Sequence, residues 1–324
     1  MEENTEQRVD LTLFSEKIQE LKDRIASVIV GQEQTVDLVL TAILANGHVL
    51  IEGVPGVAKT LLARLTARLI DADFSRVQFT PDLMPSDVLG TTVFNMKTNG
   101  FDFHQGPIFA DIVLVDEINR APAKTQAALF EVMEERQISI DGTTHRMGDI
   151  YTILATQNPV EQEGTYKLPE AQLDRFLMKI TMDYPSLEEE VNILERHHTN
   201  AALVKLDDIT PAITKEELLS LRAFMNQVFV DRTLLQYIAL IVQQTRTSKA
   251  VYLGASPRAS VAMLQSSKAY ALLQGRDFVT PEDIKFVAPY VLQHRLILTA
   301  EAEMEGYSPV KVTQRLIDKV EVPK

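Results

Sequence analysis

The stretch GVPGVAKT, residues 53–60, constrains this chain of 324 residues most strongly. An apolar run, His48-Val49-Leu50-Ile51, precedes it, and a helical pattern begins at Leu61. A strand, a glycine-bearing turn and a helix in that order form a phosphate cradle, because the N–H groups of the turn and of the first helical turn point at the bound oxygens. Lys59 is expected to reach the β- and γ-phosphates of a nucleotide, and the Thr60 hydroxyl is expected to hold Mg²⁺.

One position departs from the usual GxxxxGK[ST] pattern, because Ala58 stands where glycine is usual. Alanine adopts a positive φ only at an energetic cost. From the residues alone, the turn is therefore expected to take its unusual backbone from Gly53 and Gly56.

Composition indicates a globular protein of about two domains, at roughly 150 residues each. Hydrophobic residues make up 45% and charged residues 24%. No apolar run reaches the ~20 residues that span a bilayer, and the polar start MEENTEQRVD is unlike a signal peptide. The absence of cysteine excludes disulfides and thiolate metal sites and fits a reducing compartment, so we expect a cytoplasmic protein. The net charge of −13 disfavours a broad nucleic-acid-binding surface.

Hydrophobic patterns predict an α/β core over residues 14–184, after a flexible lead-in over residues 1–13. The run at 112–117 is continuously apolar up to its last two residues, which is typical of a parallel strand buried on both faces. Two hairpins are expected at about 91–105 and 137–147, with Asn99-Gly100 and Asp141-Gly142 as their turns. The other predicted elements of the core are helices at 14–28, 33–45 and 122–136, and strands at 48–52, 76–79, 151–156 and 178–182.

Strand patterns stop after Pro185. We expect a linker helix region at 185–205 and an all-helical domain at 206–324. Helical patterns run over 187–197, 215–228, 231–247, 257–274 and 280–295.

Two acidic residues, Asp116 and Glu117, end the buried apolar run. Open α/β sheets bind ligands beyond the carboxyl ends of their strands. Together with the upstream phosphate turn, Asp116 is expected to hold Mg²⁺, and Glu117 is expected to polarise the attacking water. The alternative is a pair of solvated acids.

Three further residues are candidates for the same site. Asn158 ends a predicted strand, where it either orients the water or forms a turn before Pro159. Arg175 is either an arginine finger offered to a neighbouring subunit's nucleotide or a surface ion-pair partner. Arg258 opens a predicted helix in Ser256-Pro257-Arg258, as a lid arginine that reaches the same nucleotide or as part of an ordinary helix start.

These motifs resemble the MoxR family of AAA+ ATPases over almost the whole chain from about residue 11. The matching strings are VGQ at 30–32, EGVPGVAKT at 52–60, RVQFTPDLMPSDVLG at 76–90, GPIFADIVLVDEINRAPAKTQAALFEVMEER at 106–136, ATQNPVEQEGTYKLPEAQLDRF at 155–176 and GASPRA at 254–259. In this family the ending Ala58-Lys59-Thr60 is usual.

The resemblance implies a P-loop AAA+ core with a central parallel sheet, sensor 1 at Asn158, the arginine finger at Arg175 and sensor 2 at Arg258. It also implies that the two hairpins are the helix-2 and pre-sensor-1 inserts, which point toward the pore of a ring. ATP or ADP, bound with Mg²⁺, is then expected to contact Val30, Gly31, Gly53, Val54, Pro55, Gly56, Val57, Ala58, Lys59, Thr60 and Leu61, with Gln32 close by.

The function implied by the resemblance is an ATP-hydrolysing ring, a hexamer, because Arg175 acts on the neighbouring subunit. Nucleotide turnover is expected to tilt the lid against the core. In the family this serves chaperone-like maturation of protein complexes or metal insertion, often with von Willebrand factor A domain proteins as partners. The alternatives are a nucleic-acid motor, which the charge disfavours, and a nucleotide-dependent switch with low turnover.

Weaker candidates surround these residues. Gln78 or Thr80 is placed to contact Glu117, and Arg120 to face a neighbouring subunit, unless they are ordinary satisfied polar residues. Adjacent His197 and His198 cannot share one helix face, so no metal site is predicted there. The hairpin phenylalanines Phe94, Phe101 and Phe103 either line a substrate loop or pack under the hairpin.

Overall fold

The computed structural model describes residues 11–159, 164–199 and 209–323. Within these ranges the helices are α1 (Leu11–Val28), α2 (Glu33–Leu44), α3 (Lys59–Leu69), α4 (Pro85–Leu89), α5 (Ala123–Glu135), α6 (Glu170–Leu173), α7 (Leu187–His198), α8 (Lys215–Met225), α9 (Arg232–Thr247), α10 (Pro257–Leu273), α11 (Pro281–Leu292), α12 (Ala300–Met304) and α13 (Pro309–Asp318). The strands are β1 (Val49–Gly53), β2 (Phe74–Gln78), β3 (Gly90–Asn95), β4 (Gly100–Gln105), β5 (Ile112–Asp116), β6 (Gln137–Ile140), β7 (Thr143–Arg146), β8 (Thr152–Gln157), β9 (Met178–Met182), β10 (Val251–Leu253) and β11 (Ile297–Leu298).

A five-stranded sheet in the order β2-β5-β8-β1-β9 forms the centre of the core. All four strand pairs are parallel, as the apolar run of β5 predicts. The carboxyl ends of the strands therefore meet at one edge of the sheet, the carboxyl edge, and their starts meet at the opposite edge, the amino edge. The register sets Glu52 opposite Gln157 and Gln78 opposite Asp116, so the candidate residues that follow these strands lie in one row.

Successive residues of each strand point to opposite faces of the sheet, and both faces are buried. On one face, Val49, Ile51 and Leu114 join the larger hydrophobic cluster. On the other face, Leu50, Val113 and Val115 join a second cluster together with residues of α5. The predicted α/β core is confirmed.

Helices α8–α13 form the lid, which is continuous with the core. Buried residues of these helices belong to the same hydrophobic cluster as those of α1–α3 and β1. Helix α10 packs on α2, and α11 packs on β9. The lid is helical as predicted, except that β10 and β11 pair as a short antiparallel ribbon, which is too short to leave a strand pattern in the sequence.

Both predicted hairpins are present. β3 pairs with β4 through a turn in which Asn99 has a φ of 51°. β6 pairs with β7 through Asp141 and Gly142, whose φ values of 50° and 80° suit a tight two-residue turn. The two hairpins touch, since the rings of Phe103 and His145 have centroids 4.3 Å apart. Phe94 and Phe101 remain exposed at the first hairpin, where their rings contact each other edge to face.

The structure differs from the prediction at both ends of the chain. Helix α1 begins at Leu11, within the expected lead-in, because Leu11 continues the apolar spacing of Phe14 and Ile18. Residues 1–10 of that lead-in, and 200–208 of the expected linker and lid, lie outside the described residues. Helices α12 and α13 were not predicted. No described helix is long and apolar enough to cross a membrane.

Candidate nucleotide-binding and hydrolysis site

The turn between β1 and α3 has the backbone of a phosphate cradle. Gly56 has a φ of 89°, and Ala58 adopts the left-handed conformation with φ 62° and ψ 22° just before α3. The expectation that only Gly53 and Gly56 supply unusual backbone is therefore wrong. Gly53 is needed for space instead, since a Cβ there would lie 2.7 Å from the carbonyl oxygen of Met182. The fold holds Ala58 in a conformation that costs alanine roughly 1–2 kcal/mol.

Lys59 lies at the start of α3 and folds back over the turn. Its Nζ donates a hydrogen bond to the carbonyl oxygen of Gly53 at 2.5 Å. Partial burial lowers the pKa of Lys59, and the charges of Asp116 and Glu117 partly offset this effect. The carboxylates are therefore close enough to act on the ammonium group, which brings β5 and the P-loop into one site.

Asp116 is buried at the carboxyl edge and is held on both carboxylate oxygens. Thr156 of β8 donates its hydroxyl to Oδ1 at 3.0 Å, and Nε of Arg76 donates to Oδ2 at 2.6 Å. The same Thr156 hydroxyl accepts the backbone N–H of Glu117 at 3.0 Å. Thr156 thus fixes the two acids relative to the neighbouring strand.

Glu117 turns away from the strand direction with a φ of 56°. Its Oε2 accepts a hydrogen bond from Nε2 of Gln78 at 2.7 Å, so the predicted contact between Gln78 and Glu117 is confirmed. Arg120, predicted to face a neighbouring subunit, pairs with the same oxygen at 3.2 Å. The Thr80 hydroxyl lowers the pKa of the Asp82 carboxyl by hydrogen bonding. Glu117 is therefore held by two side chains, although 29% of its own side chain reaches solvent.

Asn158 is buried directly after β8. Its neighbour Gln157 lies opposite Glu52, the residue before the P-loop. The sheet register therefore brings Asn158 level with Gly53, where the phosphate turn begins.

A cavity of about 270 Å³ adjoins the P-loop. The predicted residues Val30, Gly56, Val57, Ala58 and Leu61 line it, and so does Gln32. Gly31, also predicted at the nucleotide, lies against α7, because a Cβ on it would be 2.4 Å from the carboxyl carbon of Glu189.

Helix α7 lines one side of this cavity, which the sequence did not reveal. Ile193, Arg196 and His197 line the cavity at helical spacings of three and four. Arg196 anchors the helix, because its Nη1 donates to the carbonyl oxygens of Ala26 and Ser27, at 3.1 Å and 2.7 Å, near the end of α1. Residues spaced by three and four are common in any helix, so the sequence alone does not indicate that α7 lies at the nucleotide site. The packing of α7 on α1 shows this position.

Arg175 lies at the other edge of the sheet. It precedes β9, whose first residue Met178 pairs with Val49 at the start of β1, and Leu177 donates its N–H to the carbonyl oxygen of His48. The P-loop begins at Gly53, the last residue of β1. The four residue steps from Val49 to Gly53, at about 3.3 Å each, separate the two ends of this strand by roughly 13 Å.

Arg258 lies beside Arg175. In Glu134 of α5, Oε2 accepts hydrogen bonds from Nε and Nη2 of Arg175, at 2.7 Å and 2.6 Å. The other carboxylate oxygen, Oε1, accepts a hydrogen bond from Nη2 of Arg258 at 3.1 Å. Arg258 is not among the described residues that line the P-loop cavity of its own chain. The structure therefore brings the two arginines together at the amino edge and separates both from Lys59, Asp116 and Glu117.

The residues at the carboxyl edge fit a magnesium-bound nucleotide. Hydroxyl and carboxylate oxygens, here those of Thr60 and Asp116, are ligands that Mg²⁺ accepts, usually together with substrate phosphates. No group of three or more His, Asp or Glu side chains in the described ranges is arranged to hold a metal ion by itself. This donor set suits an ion that arrives with the nucleotide.

Comparisons with known proteins agree with this geometry. Residues 48–178 match the ATPase family associated with various cellular activities (AAA), and residues 243–318 match the AAA lid domain. The chain is 47% identical to the uncharacterised protein YeaC of Bacillus subtilis, over 93% of each chain. It is 44% identical to Chaperone MoxR1 of Mycobacterium tuberculosis, over 93% of this chain and 81% of that one. A crystal structure of a candidate ATPase from Cytophaga hutchinsonii superposes with a TM-score of 0.89 at 40% identity, over 97% of both chains.

Proposed function

Because the chain belongs to the MoxR family of AAA+ ATPases, we propose that it works as a ring of six identical subunits that remodels a client protein. Each ATP would lie between two neighbouring subunits. One subunit would supply the P-loop, Asp116, Glu117 and Asn158, and the next would supply Arg175 and Arg258.

The observation that carries this proposal is the separation of these two sets of residues within one chain. The P-loop follows the carboxyl end of β1, whereas Arg175 precedes β9 at the amino edge. Arg175 and Arg258 point to a second copy of the chain because their own P-loop lies at the far edge of the sheet. An arginine supplied by a neighbour stabilises the charge that develops on the γ-phosphate.

An exposed apolar stripe on α7 supports the same assembly. Leu187, Val191 and Leu194 are spaced by four and three residues, so they share one face of the helix. They are 82%, 47% and 64% exposed in the single chain, beside the nucleotide cavity. A neighbouring subunit seated at this cavity would cover them.

Hydrolysis would follow from the positions of the chain's own residues. Lys59 would exchange the Gly53 carbonyl oxygen for phosphate oxygens of the nucleotide. Glu117, oriented by Gln78, would accept a proton from the attacking water, and Asn158 would orient that water. Mg²⁺, held by Thr60 and Asp116, would supply charge neutralisation on the phosphates.

The ring would act on its client by movement between subunits. Nucleotide turnover would tilt the lid against the core, with which the lid shares one hydrophobic cluster. The hairpin inserts, with exposed Phe94 and Phe101, would carry this movement to the client. A chaperone role, in maturing protein complexes or inserting metal, is supported by the name of the relative Chaperone MoxR1. A von Willebrand factor A domain protein as partner rests on the family resemblance, and a cytoplasmic location fits the absence of cysteine.

The experiment uses Glu117→Gln, which should bind ATP without hydrolysing it and so hold the client. Lys59→Ala, which should not retain ATP, is the matched control. The proposal expects one set of proteins on Glu117→Gln with ATP and none of them on the control, and it expects wild-type rings to release them on hydrolysis. Equal capture by both variants, or an ATPase rate that rises only with DNA, would contradict it.

A further inference from the structure

One carboxylate joins the two arginines at the amino edge. Glu134 receives hydrogen bonds from Arg175, which belongs to the core, and from Arg258, which belongs to lid helix α10. Each arginine uses a different oxygen of Glu134. The other carboxylate near this pair, Asp174, binds Arg295 at 2.7 Å and lies 4.0 Å from Arg258.

The geometry leaves both guanidinium groups able to bind a further anion. A guanidinium has five N–H donors in a planar fork. Glu134 takes two donors of Arg175 and one of Arg258. Arg258 is 63% exposed and Arg175 is 29% exposed, so these side chains reach the surface.

Glu134 also offsets the repulsion between the two cations. Like charges a few ångströms apart destabilise each other, and long side chains at a surface then move apart. The bonds to Glu134 lower the pKa of this carboxyl, with the hydrogen bond from Arg175 as the largest cause, so Glu134 is ionised at neutral pH. This shared carboxylate keeps the arginines of the two domains at one place.

We propose that Glu134 is a positioning residue for ATP hydrolysis. It holds Arg175 and Arg258 as one preassembled pair, which enters the nucleotide site of the neighbouring subunit. This inference rests on the proposed function, since it requires that the arginines act on a neighbour. It predicts that Glu134 matters for the neighbour's site and not for the P-loop of its own chain.

The test compares Glu134→Gln with Glu135→Gln, the adjacent and exposed acid of α5. Both variants are assayed for steady-state hydrolysis at concentrations where sedimentation shows assembled rings. A displacement of about 1 Å lowers catalysis roughly 100-fold. We therefore expect kcat of Glu134→Gln to fall by roughly 10- to 100-fold, with little change in KM for ATP, whereas Glu135→Gln should match the wild type.

A mixing experiment separates positioning from a general structural defect. Glu134→Gln subunits keep an intact P-loop, and Lys59→Ala subunits keep intact arginines and Glu134. Mixed rings should recover hydrolysis, because Glu134→Gln sites that receive arginines from Lys59→Ala neighbours are complete. An unchanged kcat in Glu134→Gln, or no recovery on mixing, would overturn the inference.

A third variant separates this inference from the proposed function. If Arg175→Ala is inactive while Glu134→Gln hydrolyses normally, the inference about Glu134 fails and the shared site stands. If Arg175→Ala itself hydrolyses normally in assembled rings, the proposed function fails.

Discussion

Asp174 connects the lid to the loop that carries Arg175, and its loss should destabilise the chain measurably. Arg295, three residues after the end of α11, donates its Nε to Oδ1 of Asp174 at 2.7 Å. It also donates to the carbonyl oxygens of Phe176 and Leu177, at 2.7 Å and 3.1 Å. The Arg295 side chain is only 4% exposed, and Asp174 is 20% exposed. Asp174→Asn would therefore leave a buried cation without its counter-ion.

The expected magnitude follows from this burial. Breaking a buried ion pair by removing one partner costs about 3–5 kcal/mol. Because a fifth of Asp174 reaches solvent, we expect the lower end, about 3 kcal/mol of unfolding free energy. Hydrolysis by assembled rings should fall as well, since Arg175 directly follows Asp174.

Urea unfolding of the nucleotide-free chain measures this cost. Glu170→Gln, at the exposed start of helix α6, which directly precedes Asp174, is the matched control and should change stability by less than about 0.5 kcal/mol. The double variant Asp174→Asn with Arg295→Met should lose less than the sum of the two single variants, because the two side chains are directly coupled. The reasoning would be refuted if Asp174→Asn were as stable as Glu170→Gln.

Three further predictions concern single residues. Burial, with a smaller contribution from Arg136, lowers the pKa of His48 from 6.5 to about 3. Between these two pH values, His48 therefore binds a proton in the unfolded chain and not in the folded chain. The contribution of His48 to the free energy of unfolding should be fully present above pH 6.5 and should fall by about 1.4 kcal/mol per pH unit as the pH drops toward 3. Urea unfolding at several pH values measures this dependence, which in His48→Gln should be shallower by the uptake of one proton. Ala58→Gly should change the free energy of unfolding by no more than about 1 kcal/mol, because the relief of the positive φ is offset by the greater entropy of the unfolded chain. In calorimetry Ala58→Gly should keep the wild-type affinity for ATP, whereas Ala58→Val should bind ATP more weakly. Equal affinities of the two variants would contradict the left-handed conformation at this position. Gln78→Ala should lower kcat about tenfold with unchanged ATP affinity, because Glu117 loses an orienting donor, and an unaltered kcat would show that the 2.7 Å contact has no catalytic role.

The site at the carboxyl edge was predictable because its residues follow strands in the chain. Once β1, β5 and β8 are parallel neighbours, Gly53, Asp116 and Asn158 must meet at one edge. The same local reading was wrong at Ala58, since the packing around the turn, and not the alanine's own preference, sets its φ of 62°.

The contacts of the amino edge and of α7 could not be predicted in this way. Glu134 and Arg258 are 124 residues apart in the chain, and no spacing rule connects them. Ile193 and His197 show an ordinary helical spacing, and only the docking of α7 on α1 brings them to the nucleotide cavity. Contacts between domains depend on how whole elements pack, which a pattern within one element does not encode.

The shared site is the central claim, and a complementation assay with two inactive variants tests it most directly. Lys59→Ala removes the P-loop lysine and keeps Arg175, whereas Arg175→Ala keeps an intact P-loop. Each variant alone should be nearly inactive. Mixed in equal amounts at ring-forming concentrations, they should regain up to about a quarter of the wild-type rate, because intact P-loops then meet intact arginines by chance at roughly one interface in four. If the mixture stays as inactive as its two components, although sedimentation shows mixed rings, the arginines do not act on a neighbouring subunit.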